Sequence, residues 1–282
     1  MTFAGRRVRP SPSRWSLTSR RAASSPPATA TSATSSSTRR WTTSAPIRTC
    51  AWKATSPTAR GWAGRIADLL AAHGVPATVS ACGRAAERSP WLVREAVDLG
   101  HEVSCHGWRW QRHAGMAEDE ERAVIARTYA TVAEACGVPP VGWHTRSSAS
   151  VNTRRLLVEH GGFSYDSDAY DDDAPYTVDV SGHRHLVLPY AFDTNDMRFR
   201  PGGAFVHGED FARYVIAAFE WLAREGKAAP RMMSTDLHLR TIGRPARVSG
   251  LERVIEALGG GGAWFATRAD IARHWLAATK DA

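Results

Sequence analysis

The chain has 282 residues, 43% of them apolar, and a formal net charge of +8, which is room for one large domain or two ordinary ones. That charge is segregated: residues 1–60 hold eleven Lys or Arg and no Asp or Glu, whereas residues 61–282 hold 25 basic and 28 acidic side chains, a balance that disfavours a nucleic-acid-binding body. No apolar run approaches the ~18 residues of a membrane helix, and Cys50, Cys82, Cys105 and Cys136 fall in no paired spacing, so neither a disulfide framework nor a thiolate zinc site is indicated.

The first sixty residues carry 23 Ser or Thr, six Pro and ten Ala without apolar periodicity. Such a segment cannot bury enough surface to offset its ordering entropy and is expected to be disordered. It lacks the apolar core of ~7–15 residues that a secretory signal needs, although its Arg- and Ser-rich, acid-free composition satisfies an organellar transit peptide. The abrupt change near Gly61 favours a third reading, because a GC-rich gene read out of frame encodes this mixture of Arg, Ser, Thr, Ala and Pro. The folded domain is accordingly placed at 61–282.

From Gly61 onward, helical and strand patterns alternate. A helix is predicted over 62–73, stopping at Gly74, then a strand over 77–81. Ser89 and Pro90 mark the start of a helix that ends at Leu99-Gly100. A strand over 101–105 precedes a long charged helix over 117–135. Strands are predicted over 141–145, 163–167 and 185–190, and helices over 152–159 and 208–224. A strand over 232–238, a helix to Leu258, a strand over 264–266 and a helix over 270–277 complete the chain.

About seven strands separated mostly by helices predict an α/β fold with a parallel sheet, doubly wound or closed into a (β/α) barrel. The 222 residues after position 60 are slightly short of the ~250 usual for a barrel, as if a first strand were missing. Reactive groups of a barrel sit at the C-terminal strand ends. Read in order, those ends carry His106 with Trp108 and Trp110, then Trp143-His144-Thr145-Arg146, then Asp166 and Asp168, then Tyr190 with Asp193-Thr194-Asn195-Asp196, and finally Asp236 and His238.

The segment Gly100-His101-Glu102-Val103-Ser104-Cys105-His106-Gly107-Trp108-Arg109-Trp110 resembles the second motif of the polysaccharide deacetylase (NodB-homology) family, G-H-E-[IV]-x-x-H-[ST]-x-x-H. The resemblance implies a NodB-type barrel, a distorted relative of the TIM barrel, and two metal-binding His residues four apart. Here the first is His106, and Trp110 stands in place of the second. Seven helical residues span ~10 Å, so His113 is not expected to substitute for it. Leu237-His238 matches the late L-x-H motif with relaxed spacing, and nothing after residue 60 matches the first motif, T-F-D-D-G.

These departures point to one branch. Gly-Trp-His-Thr at 142–145, Asn-Thr-Arg-Arg-Leu at 152–156, Tyr-Asp-Ser-Asp-Ala-Tyr at 165–170, Asp-Thr-Asn-Asp-Met-Arg-Phe at 193–199 and Asp-Ile-Ala-Arg-His-Trp at 270–275 resemble the allantoinases of uric-acid catabolism. That branch carries Trp in place of the metal His, works without a bound metal, and has glutamates in its first motif. The resemblance implies a cytoplasmic homo-oligomeric hydrolase of a small cyclic ureide, with no metal cofactor. Its alternatives are a zinc-dependent or otherwise metal-dependent deacetylase of an acetylated glycan, and an inactive fragment of the family.

Amide-ring opening needs a base for water, a donor for the oxyanion and an acid for the leaving nitrogen. His238 is expected as the acid, with Asp236 two residues earlier as its orienting group, and His106 as the holder of water or oxyanion. Trp110 and Trp143 are expected to stack on a flat heterocycle, and Arg146 to bind a carboxylate product. Asp168, Asn195, Asp196 and Arg198 are expected to read the substrate's polar groups. His101, at a strand start, is expected to be structural, and the acidic run around Asp171-Asp172-Asp173 to be a solvated loop rather than a calcium site.

Overall fold

The computed structural model describes residues 2–4, 57–146 and 148–279. Its strands are β1 (Thr2–Ala4), β2 (Thr78–Ala81), β3 (Glu102–Cys105), β4 (Gly142–Trp143), β5 (Tyr165–Asp166), β6 (Tyr176–Val180), β7 (His183–Val187), β8 (Met233–Ser234) and β9 (Trp264–Phe265). The helices are α1 (Pro57–Ala72), α2 (Gly83–Arg88), α3 (Pro90–Asp98), α4 (Glu118–Cys136), α5 (Thr153–His160), α6 (Gly208–Glu225), α7 (Leu239–Ile242), α8 (Pro245–Gly260) and α9 (Arg268–Ala278). Strands β2, β3, β4, β5 and β7 run parallel in that spatial order, which is the expected α/β sheet with helical crossovers.

Three features depart from expectation. Residues 2–4 lie in a strand, antiparallel to both β8 and β9, whereas the first sixty residues were expected to be disordered and the first strand missing. Helix α1 begins at Pro57, so the expected boundary at 60 falls inside an element; residues 5–56, on which the out-of-frame reading mainly rests, lie outside the described residues. Strand β6 was not foreseen. It forms an antiparallel hairpin with β7 through Ser181-Gly182, both at positive φ (55° and 82°), the geometry of a two-residue type I′ turn. Among the described residues the strands form a three-stranded and a six-stranded sheet, and the barrel is not closed.

Local chemistry sets the helix ends. Helix α4 opens with Glu118, Asp119, Glu120 and Glu121 against the positive end of its dipole and closes on Gly137 at φ 77°. Helix α9 begins with a capping box, in which Thr267 Oγ1 accepts from Asp270 N at 3.0 Å and Asp270 Oδ2 accepts from Thr267 N at 3.2 Å.

The two faces of the parallel sheet differ in chemistry. Val103, Cys105 and Trp143 face α3, α4 and α5 with Val93, Ile125, Val132 and Leu157 in one apolar cluster. The alternate residues turn inward and are polar: Thr78 Oγ1 donates to Glu102 Oε2 at 2.7 Å, Tyr165 Oη donates to Glu102 Oε1 at 2.7 Å, and Ser80 and Ser104 hydroxyls lie 3.3 Å apart. The interior is thus a hydrogen-bonded shaft rather than the layers of branched aliphatics usual in a βα barrel. A second apolar cluster joins α1, α6 and α8 through Ile66, Phe211, Val215, Leu251, Val254 and Ile255.

Helices α6 and α8 cross where Gly208 meets Gly250, and a Cβ on Gly250 would lie 2.1 Å from the Gly208 carbonyl oxygen. Gly250→Ala is expected to push the helices apart and cost at least about 2 kcal/mol, since backbone cannot yield as a side chain does. Gly259→Ala in the same helix meets only Phe265 at 3.6 Å and is expected to stabilise by up to about 1 kcal/mol through helix propensity. Urea unfolding of the two variants checks both signs.

Candidate active site

His106 follows β3, and its Nδ1 lies 2.6 Å from the carbonyl oxygen of His144, which follows β4. A carbonyl only accepts, so Nδ1 carries the proton and Nε2 keeps its lone pair. Burial lowers the pKa of His106 to about 4, against the bond to His144, and the nearby His238, His113 and Arg146 push the same way as burial. The ring is therefore neutral at physiological pH and acts as an acceptor at Nε2, which suits it to hold a water rather than an oxyanion.

His238 stands just past β8. Its Nδ1 lies 2.7 Å from Asp196 Oδ1, while Asp196 Oδ2 accepts the backbone N–H groups of His238 (2.7 Å) and Ile242 (3.1 Å). Asp196 is fully buried, and the His238 ring is 22% exposed. A carboxylate on Nδ1 fixes the tautomer and leaves Nε2 for a ligand. Asp196 thus takes the orienting role expected of Asp236, and it is not a substrate contact.

The other expected residues separate into those at the site and those in the scaffold. The guanidinium of Arg146 lies 4.1 Å over the ring of Trp110, which is 44% exposed, and Arg146 Nε is buried with no hydrogen-bond partner. Trp143 is completely buried, with its indole N–H on Thr145 Oγ1 at 2.8 Å, so it is core and has no face for a substrate. Asp168 accepts from Thr145 N and Thr145 Oγ1, each at 2.7 Å, and burial together with the charge of Asp166 raises its pKa. Asn195 caps the 3₁₀ turn Asp196–Phe199 through Met197 N and donates to Tyr190 Oη, each at 2.7 Å, so it positions a ring rather than reading a substrate. Arg198 donates to the Asp193 carbonyl and lies over the rings of Tyr214 and Phe205, which makes it a packing residue. His113 is buried, with Nδ1 on Glu121 at 2.9 Å. His101 accepts Ala77 N–H at 3.2 Å, and Asp171, Asp172 and Asp173 are exposed.

Two groups had no clear sequence signal. The rings of His106, His144, Tyr190 and Phe192 follow one another at centroid spacings of 5.1, 4.3 and 5.2 Å, and Tyr170 stacks on Phe192 at 4.5 Å. Tyr170 and Phe192 come from different loops and are 42% and 47% exposed, an aromatic wall beside the histidines. Arg268, the first residue of α9, is buried and donates to Ser167 Oγ (2.9 Å) and the carbonyls of Leu188 (3.0 Å) and Pro189 (3.4 Å). Only tertiary pairing shows that it enters the shaft.

The donor set does not fit a divalent cation at His106. Its Nε2 could ligate, but Trp110 stands where the deacetylase motif has its second ligand, and the charged groups acting on the ring are His238, His113 and Arg146 rather than carboxylates. Among the described residues the one grouping with three potential ligands, His73 just past α1 with Glu252 and Glu256 of α8, is exposed and includes none of the strand-end residues.

The polysaccharide deacetylase family profile matches residues 55–165. A protein of Schizosaccharomyces pombe carrying the description polysaccharide deacetylase is 35% identical over 233 residues, 76% of this chain and 72% of the relative. The chain belongs to the polysaccharide deacetylase family. The crystal structure of a PuuE allantoinase is 44% identical with a TM-score of 0.73, covering 77% of this chain and 72% of that one. A protein from Pseudomonas aeruginosa PAO1, described as a probable polysaccharide deacetylase, is 46% identical with a TM-score of 0.72 over the same shares. Members of this family are hydrolases, and the NodB-type fold that the motif resemblance implied is the fold of these neighbours. No helix among the described residues is long and apolar enough to cross a membrane.

Two outcomes follow from the histidine chemistry. Asp196→Asn is expected to remove the acceptor that holds Nδ1–H, so that ¹⁵N shifts of His238 move toward the other tautomer while the fold persists. His106 is held neutral by burial with a pKa near 4, against about 6.5 in the unfolded chain. The unfolded state then binds more protons between those values, so stability present above about pH 6.5 is lost as the pH falls toward 4. Urea midpoints at pH 7 and pH 4.5 should differ, and His106→Asn should narrow the difference.

Proposed function

We propose that this chain hydrolyses a carbon–nitrogen bond of a cyclic ureide, opening allantoin to allantoate. The observation that carries the reading is the buried Asp196–His238 couple beside a neutral His106, with Trp110 and Arg146 where the deacetylase pattern has its second metal ligand. The 44% identity to a PuuE allantoinase over most of both chains supports it.

The chemistry follows from the atoms available. Water held at His106 Nε2 attacks the ring carbonyl carbon; as the tetrahedral intermediate collapses, the C–N bond breaks and the leaving nitrogen takes the proton of His238 Nε2. The Asp196 carboxylate stabilises the imidazolium that must form before that transfer. Arg146, with a donor unpaired in the protein, is placed to meet the carbonyl oxygen and then the carboxylate of the product. The faces of Trp110, Tyr170 and Phe192 suit a flat five-membered ring.

A second reading, release of acetate from an N-acetylated glycan, is favoured by the descriptions of the S. pombe and P. aeruginosa relatives. Incubation with allantoin and, separately, with a chito-oligosaccharide distinguishes the two. Allantoate is expected, unchanged by chelator, and His238→Ala should lower kcat by about 10²-fold or more. Acetate release that needs added zinc, without ring opening of allantoin, would overturn the ureide reading.

A further inference from the structure

The reaction needs an acceptor for the proton of the attacking water, and residues 1–60 contain no Asp or Glu. Every Asp and Glu of the sequence lies after residue 60, so a carboxylate base supplied by this chain would come from the body. His106 is a poor candidate, because a ring with a pKa near 4 holds a proton weakly.

The buried acids of the shaft and its mouth are almost all committed. Asp166 is held by Arg154 at 2.7 Å and His185 at 3.0 Å. Both oxygens of Asp168 accept from Thr145. Asp196 accepts three N–H groups. Glu102 accepts from Thr78, Tyr165 and Ala269 N, and Glu121 from His113, Ser150 and Thr153. The exception is Asp236. Its Oδ2 is buried with no hydrogen-bond partner, although a buried carboxylate oxygen without one is costly.

Asp236 also lies where a base is needed. It stands just past the C-terminal end of β8 and two residues before His238, and it interacts electrostatically with that ring and with Tyr170 and Tyr190 of the aromatic wall. With Ser80, Ser104, His144, Ser167 and Arg268 it lines a cavity of about 10 Å³, enough for one water, and His144 Nε2 is a second buried atom there without a partner.

We propose that Asp236 is the general base of this chain, its Oδ2 taking the proton of a water delivered between the shaft and the substrate carbonyl. The proposal rests on the hydrolase reading above. The water oxygen forms the new C–O bond, its proton passes to Asp236 Oδ2, the C–N bond breaks, and the nitrogen leaves with the proton of His238 Nε2. Asp236 then returns its proton to His238 through solvent, and no other reactant is consumed. Burial raises the Asp236 carboxyl from its ordinary value, while the chain's amino terminus, Arg268, His238 and the Ser234 hydroxyl act in the opposite direction. A raised carboxyl is a stronger base, and the sign of the pH profile follows: kcat/KM rises as Asp236 ionises, with an acid limb shifted upward from that of an ordinary carboxylate.

The test uses the full chain with allantoin and a chito-oligosaccharide as probes, measuring binding by calorimetry beside turnover. Asp236→Asn is expected to bind the substrate as the wild type does and to lose kcat by about 10²- to 10⁴-fold. Asp236→Ala should regain at least tenfold of its lost rate in millimolar formate, which a merely structural carboxylate would not give; near-UV circular dichroism of both variants confirms folding. Turnover by Asp236→Asn within threefold of wild type overturns the proposal. Wild-type binding of allantoin without turnover of either probe overturns the base and the hydrolase reading together, because no hydrolysis then occurs for a base to serve. Acetate release that depends on Asp236, without ring opening, has the opposite meaning: the base stands and the ureide reading falls. Failure to turn over or bind either probe overturns both.

Discussion

One buried carboxylate ties the catalytic end of this molecule together. Asp196 sits in the 3₁₀ turn that follows the loop from β7, yet its two oxygens are spent on residues that follow β8: the backbone and ring of His238 and the amide of Ile242. Its own amide donates to the Asp236 carbonyl at 3.0 Å. Two loops more than forty residues apart in sequence are thus locked through a single side chain. Truncating it would leave two backbone donors and an imidazole without acceptors in a dry site, each about 1–3 kcal/mol. The same bond that aligns His238 therefore also holds its loop in place.

Much of this was legible in the sequence, for reasons that differ by element. The strand ends were found because Gly, Trp and His cluster where apolar runs stop, and His106 and His238 fell in motifs whose neighbours left little choice. What failed were inferences from residue type alone. Trp143 has the chemistry of a stacking residue, but its alternation places it on the apolar face, where it packs with Cys105 and Phe163. Arg198 and Asn195 occupy a polar cluster that is turn chemistry and ring support. The group that holds the His238 ring is Asp196 and not Asp236, which lies nearer in sequence, because the loop after β7 brings Asp196 to the ring. The hairpin of β6 and β7 was missed although Ser181-Gly182 is a fair turn signal, because a βα rhythm was expected to continue.

The replacement at Trp110 has an electrostatic logic. A divalent ion needs carboxylates or free imidazoles about it; here the charged neighbours of His106 are themselves cationic or can become so. Arg146 laid over Trp110 puts a fixed positive charge near the space that a metal ligand would have faced. A guanidinium polarises a carbonyl less strongly than a metal and does not lower the pKa of water, so the proposed metal-free reaction calls for a stronger proton acceptor than a metal-bound hydroxide would require.

That requirement explains the polar interior. A shaft filled with Val and Ile would be more stable by ordinary packing, yet this one carries Thr78, Ser80, Ser104, Glu102, Tyr165 and Arg268 in hydrogen-bonded contact beneath the histidines. Among the described residues Arg268 donates to two backbone carbonyls and a serine, and its charge acts on Asp236 and His144. It favours the ionised form of Asp236, the state in which the proposed base acts, and the neutral form of His144. Burial works against the first and with the second. Desolvation raises the Asp236 carboxyl and the amino terminus, Arg268, His238 and the Ser234 hydroxyl lower it, so opposing influences keep the acid basic without neutralising it outright.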